Sequence, residues 1–181
     1  GILDPLACGL CQAEHALFVD TRTLAIEQLA LPRALELVVI HSGKSHRHAD
    51  RDEASATPDY RTRRAECERA AAHCGVTSLR ELEEDAAAAQ KLATLEPRLE
   101  ARVRHVISEN ARTKEAAAIL RRGAPREEDL AQLGALFYAS HCSQRDDYEV
   151  SIFEIDALIE IGIRDLDIVH KAARLTGGGF G

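Results

Sequence analysis

The spacing of apolar residues along the chain changes character near Pro58. Before it, Ala16 to Leu24 and Leu35 to Ile40 are short runs rich in β-forming residues, and each predicts a strand. His41 to Asp59 is polar, with Ser, Gly, His, Asp and Pro, and reads as a surface loop. After Pro58 the apolar positions recur with a helical period almost to residue 163. Thr57-Pro58 offers an N-cap and a proline at the first helical position. Ser78-Leu-Arg-Glu81 and Ser151-Ile-Phe-Glu154 have the spacing of capping boxes. Pro97 can open a long helix with Val103, Ile107 and Ala111 on one face. Gly123 and Pro125 close it, and Leu130, Leu133, Phe137 and His141 line up on the next, with His141 at the edge of a core. Ile155, Leu158 and Ile159 form a last helical stripe, and Ile168 to Leu175 predicts a final strand. Strands at both ends with helices between them make an α+β layout.

Composition narrows the function more than the fold. The chain has 181 residues, enough for one domain or for one and part of another. Its net charge of −7 argues against a nucleic-acid or anionic-membrane partner, since both call for a basic footprint. Arg61, Arg63 and Arg64 form a local basic run with acids close behind, and read as a solvated helix face. No apolar stretch is long enough to span a membrane. The five cysteines, Cys8, Cys11, Cys67, Cys74 and Cys142, are odd in number and irregular in spacing, which suggests reduced thiols and a cytoplasmic protein. Cys8-Gly-Leu-Cys11 matches C-x-x-C without a second pair, and His46-Arg-His48 lacks supporting ligands, so no metal site is expected. Gly43-Lys44-Ser45 resembles the end of a phosphate loop, but Val38 stands where the motif needs glycine. Without any methionine, and beginning at Gly1, the chain is expected to be a piece of a longer protein.

Two stretches are chemically unusual. Leu175-Thr-Gly-Gly-Gly-Phe-Gly181 concentrates glycines where the backbone must approach something closely or expose N–H groups to an anion. Ser140-His-Cys-Ser-Gln-Arg-Asp-Asp-Tyr-Glu-Val-Ser151 places Arg145, Asp146 and Asp147 between two helices, where an Arg–carboxylate fork can fix a corner. Together these stretches resemble two signatures of the galactokinase family of GHMP kinases: S-H-x-S-x-R-D-D-Y-E-V-S and the Gly-rich third motif. Tyr60 to Glu68 (Y-R-T-R-R-A-E-C-E), Gly1 to Asp4 (G-I-L-D) with the strand after it, and Arg104 to Arg112 (R-H-V-I-S-E-N-A-R) resemble further family segments, in the family's order.

The resemblance implies a GHMP-kinase-like C-terminal domain, with helices packed on a small antiparallel sheet. Residues 1–34 would close the N-terminal kinase domain, and 35–181 would form the C-terminal domain up to the third motif. It also implies ATP-dependent phosphorylation of galactose at its anomeric hydroxyl by a monomer, with ATP and Mg2+ held mainly by a first half that lies outside residues 1–181. The 181-residue chain alone is then expected to be inactive. Asp4 would be the catalytic base, Gly1 and Tyr60 would contact the sugar, and Gly177, Gly178 and Gly179 would approach the sugar and phosphate. Pro5 stands where the family usually has Gln. That departure leaves open a non-catalytic galactose and ATP sensor, alongside a related kinase for N-acetylgalactosamine or arabinose.

Overall fold

The computed structural model describes residues 2–33, 35–44, 60–165 and 172–180. Helix α1 (Leu3–Leu10) leads into strand β1 (His15–Val19), which pairs antiparallel with β2 (Ile26–Ala30) so that Ala16 faces Leu29 and Phe18 faces Glu27. The connecting turn is held by Asp20, whose Oδ1 accepts the N–H groups of Arg22 and Thr23. Helices α2 (Tyr60–His73), α3 (Ala88–Leu92), α4 (Pro97–Arg121), α5 (Glu127–Asp146) and α6 (Phe153–Asp165) follow. A 3-10 turn, Leu79–Glu83, separates α2 from α3. The α+β architecture expected from the layout is present, with helices packed on a two-stranded sheet.

The 25-residue α4 organises the molecule, because its two halves serve different cores. Its first turns bury Leu99 and Val103 against Ala70 and Ala71 of α2, Cys74 just beyond it, and Leu79 and Leu82 of the 3-10 turn. Its last turns bury Ala117, Ile119 and Leu120 against Leu29 of the sheet and Leu133 of α5, with Phe18 and Phe137 at the margin. Full burial of one such aliphatic side chain contributes about 1.5–3 kcal/mol. Arg121 fastens the hairpin from outside, pairing with Glu27 at 2.6 Å and lying over the Phe18 ring.

Several expectations change. The run from Ala16 to Leu24 ends as a strand at Val19, and its partner, Ile26–Ala30, did not announce itself by pattern. Leu35 to Ile40 is not a strand: Leu37, Val38 and Val39 are 70–85% exposed. No strand among the described residues pairs with them, and β propensity acts only through neighbours. Residues 172–175 are likewise irregular, while the rest of the predicted last strand, the Thr57-Pro58 cap and His46-Arg-His48 lie outside the described residues. Neither capping box closes as read. The Ser78 side chain makes no cap bond, the Glu81 carboxylate accepting from the Thr77 hydroxyl, and the Ser151 hydroxyl bonds Asp156. A reciprocal box forms instead at α5, where Asp129 accepts the Arg126 backbone N–H at 2.9 Å. On α4 the stripe runs from Val103 to Ile107 and stops, for Ala111 is exposed.

Two polar residues were placed too near the surface. Arg61 and Arg64 are exposed as expected, but Arg63 between them is 1% exposed, because it shares the inward face of α2 with Glu66, Ala70 and Ala71. His141 is completely buried, not at a core edge. Its ring nitrogens make no hydrogen bond among the described residues, and Nε2 lies 3.4 Å from Asp156. Burial pushes the His141 imidazole below its usual pKa, and Asp156 only partly opposes this, so the neutral ring is favoured.

Candidate functional site

The Gly-rich loop is anchored at both ends and free at its tip. Leu175 is 3% exposed and Gly179 is buried, whereas Thr176, Gly177 and Gly178 face solvent. Glycine is needed most at 179. Its φ is +81°, and a Cβ there would lie 2.6 Å from both the Cβ and the carbonyl oxygen of Val150. The next residue seals the contact, with the Phe180 N–H donating to the Val150 carbonyl at 2.7 Å. The loop therefore approaches the turn that follows α5.

That turn is built from the R-D-D-Y-E-V-S segment. The N–H groups of Tyr148 and Val150 close it by donating to the carbonyls of Ser143 and Gln144. Glu149 occupies the left-handed position, φ +54°, which helix ends usually give to glycine. Its carboxylate accepts from Arg102 Nη2 at 2.7 Å and pairs with Arg63 Nη2 at 3.3 Å. Both arginines also converge on Glu66 Oε2, each at 2.6 Å. Arg63, Glu66 and Arg102 are each at most 2% exposed, and Arg102 Nη1 also donates to the Asp147 carbonyl. Burial pushes the Glu66 carboxyl up, but hydrogen bonds from Arg102 and Arg63 outweigh it and hold the group below its ordinary pKa. Two buried cations thus meet one buried carboxylate, Glu66, and one half-exposed carboxylate, Glu149. Each of the three buried ions depends on its partners, since one left alone in this interior would cost several kcal/mol.

Beside this network runs a hydrogen-bonded relay. Arg104 Nη2 holds Asp147 Oδ1 at 2.8 Å, while Ser143 Oγ donates to Asp147 Oδ2 at 3.2 Å. With its proton committed to Asp147, Ser143 accepts from His105 Nδ1 at 2.9 Å, which fixes the tautomer of a neutral imidazole. The His105 ring stacks on Tyr148, centroids 4.3 Å apart. Burial pushes the His105 pKa down to about 4, with Glu109 and Asp147 opposing and Arg112 and Arg102 assisting. Burial also raises the Tyr148 phenol, next to Cys67 and Tyr60, and the Cys67 thiol.

The N-terminal end of the loop has its own support. Arg174 Nε donates to the Leu175 carbonyl, and its Nη1 lies 4.0 Å from Glu109. In one orientation the Gln144 amide serves both neighbours, accepting from Arg174 Nη2 and donating to the Leu175 carbonyl, each at 3.2 Å. Ser140 Oγ and Arg112 Nε hold Glu109 from the other side, at 2.7 and 2.5 Å. Arg174, Glu109, Arg112 and Ser140 form the polar rim of a cavity of about 220 Å3, with Phe18 and Leu120 among its apolar walls.

The structure places the residues singled out from sequence unequally. Tyr60, the first residue of α2, is 58% exposed. Asp4 is exposed in the first turn of α1, whose far end is pinned to the hairpin by Gln28 Nε2 donating to the Leu10 carbonyl at 2.7 Å. No hydrogen bond or ion pair among the described residues joins Asp4 to Tyr60 or to the loop. Gly1 lies outside the described residues. Arg145 does fork onto Asp146, at 2.8 and 3.0 Å, but both are partly exposed, and the corner is fixed instead by Asp147 and Glu149. No cluster of three or more His, Cys, Asp or Glu among the described residues is arranged to hold a metal ion. Cys8, Cys11, Cys67, Cys74 and Cys142 are all free thiols.

Sequence reasoning missed Arg63, Glu66, Arg102 and Glu149 as a set. A signal existed for the first two: both fall on the small-residue face of α2, where a charged side chain must find partners.

No protein-family model matches the chain. Over its entire length it is similar to the crystal structure of Lactococcus lactis galactokinase complexed with galactose, at 32% sequence identity and a TM-score of 0.76. The chain spans 44% of that protein.

Proposed function

We infer that the chain is the corresponding part of a galactokinase-like GHMP kinase, and we propose that the whole protein phosphorylates galactose at the anomeric hydroxyl. The observation that carries this reading is the docking of Gly179 on Val150. It brings the two most distinctive motifs into one structure, within a chain similar throughout to a galactokinase.

In this reading Asp4 is the base. As the anomeric oxygen forms its bond to the γ-phosphorus of ATP, its proton passes to the Asp4 carboxylate, and the bond to the β-phosphate oxygen breaks to release ADP. Phosphoryl transfer asks a protein chiefly for alignment and charge stabilisation. Tyr60 supplies an apolar wall and a hydroxyl to the sugar, and its exposure leaves it free to do so. The tip at Thr176, Gly177 and Gly178 is the part of the loop left uncovered for sugar or phosphate. Gly1 is proposed to lie against the sugar. Magnesium, which neutralises phosphate charge when bound with ATP, is held outside the described residues. Residues 1–34 belong to the kinase's first domain and 35–181 to its second, in a cytoplasmic monomer.

Incubating the whole protein with ATP and a panel of galactose, N-acetylgalactosamine, arabinose and glucose tests the proposal. Galactose-dependent ADP release with formation of galactose 1-phosphate is expected. Preference for another sugar would move the protein to a different kinase of the group. Pro5, exposed in the first turn of α1 beside Asp4, supports a second reading as a galactose and ATP sensor. Tight binding of both without ADP release would establish that reading instead.

A further inference from the structure

We propose that Glu149 is a positioning residue: its ion pairs with Arg63 and Arg102 tie the Gly177–Gly179 loop to the helix that presents Tyr60. The inference rests on the kinase reading for its consequence in turnover, but its structural content stands apart from it.

Glu149 holds a backbone conformation that few residues other than glycine adopt, and glutamate is not among the types enriched there. Local backbone preference therefore does not explain it. Its carboxylate does, because a single oxygen, Oε2, receives both Arg102 Nη2 and Arg63 Nη2. Arg63 lies one helical turn beyond Tyr60 on α2, so the pull on Glu149 comes from the helix that starts with Tyr60. The left-handed turn at Glu149 sets the direction of Val150. Val150 in turn is the ledge for the loop, through its carbonyl to the Phe180 N–H and its Cβ beneath Gly179. The path runs along α2 from Tyr60 to Arg63, and from there by contacts through Glu149 and Val150 to Gly179. Without the carboxylate, the two buried guanidiniums keep Glu66, which Arg98 also approaches at 3.7 Å, as their one shared carboxylate, and Arg63 Nε has no hydrogen-bond partner among the described residues. The arginines are then expected to shift, and the ledge with them.

The test compares Glu149→Gln, Glu149→Asp and wild type in the whole protein, with two readouts. Amide hydrogen exchange follows Phe180, which reports loop docking, and Val103, which reports the core. Removing the charge that Arg102 and Arg63 share should speed exchange at Phe180 roughly tenfold in Glu149→Gln, with Val103 unchanged. Steady-state kinetics should show kcat/KM for galactose lower by a similar factor, mainly through KM, with Glu149→Asp recovering part of the loss. Glu68→Gln, which removes only the exposed Arg64–Glu68 pair, should match wild type. Equal acceleration at Phe180 and Val103 would mean that Glu149 only stabilises the fold, and no change at Phe180 would mean that it does not hold the ledge; either overturns the proposal. An unchanged galactose KM with a released loop overturns the link to substrate. If Glu149→Gln does not fold, Glu149→Asp carries the exchange test, with a smaller rise confined to Phe180. If wild type phosphorylates no sugar, the kinase reading fails while the exchange result still decides the structural claim.

Discussion

Acidification asks the folded chain to put a proton on His105, and its surroundings oppose this. The ring is 9% exposed, stacked on Tyr148, and hydrogen-bonded through Nδ1 to a serine whose own proton goes to Asp147. Its folded pKa is pushed down to about 4 by burial, against an unfolded value of about 6.5. The unfolded chain therefore binds a proton before the folded one does. Stability falls as pH drops below about 6.5 and stops falling on this account below about 4. Between about pH 7.5 and about pH 5 the linkage removes about 2 kcal/mol, approaching about 3 kcal/mol at still lower pH. Other groups titrate over the same range. His141, also pushed down by burial, adds to the loss, and carboxylates held low by arginines, Glu66 among them, lose their stabilisation at lower pH still. The assay must therefore be a difference. Urea unfolding of wild type and His105→Phe at several pH values isolates the contribution, since phenylalanine keeps the stack and does not titrate. The variant should be less stable than wild type near neutrality, having lost the bond to Ser143, and the gap should close by about 2 kcal/mol by about pH 5. Parallel stability curves would refute the reasoning, because they would mean that His105 takes up its proton equally easily folded and unfolded.

Other substitutions probe the loop and the network. Gly179→Ala should destabilise loop docking by about 1–2 kcal/mol, given a positive φ and a Cβ 2.6 Å from Val150; Gly178→Ala, with nothing within 4 Å, should stay within about 0.5 kcal/mol in the same urea titration. Arg102→Met should cost about 3–5 kcal/mol in thermal or urea unfolding, since Glu66 and Glu149 lose a shared partner; adding Glu66→Gln should recover part of that loss. In a native thiol titration Cys8 and Cys11 should react first, whereas Cys74, buried and with its thiol pKa raised by that burial, should react only on unfolding.

Much of this arrangement was legible in the sequence, and the failures have a common cause. The helices announced themselves because their period, proline starts and the Gly123-Pro125 break are local properties. The family signatures likewise marked the loop and its turn. What pattern could not give was pairing. Leu35 to Ile40 has strand composition but no partner strand among the described residues, whereas Ile26–Ala30 has weaker composition and a partner in β1. The same limit hid the ionic network. Arg63 sits between two exposed arginines, and only the packing of α2 on α4 turns it inward, where Arg102 and Glu149, distant in sequence, meet it. The Asp4 assignment stands at the opposite extreme. It rests on resemblance, and the side chain is solvent-exposed in the first turn of α1.

The most direct test of the account is therefore Asp4→Asn in the whole protein, measured as galactose-dependent ADP formation alongside galactose binding by calorimetry. The account predicts that the variant folds, binds galactose, and loses turnover by several orders of magnitude. Turnover equal to wild type would contradict the assignment of Asp4 as the base and the mechanism built on it.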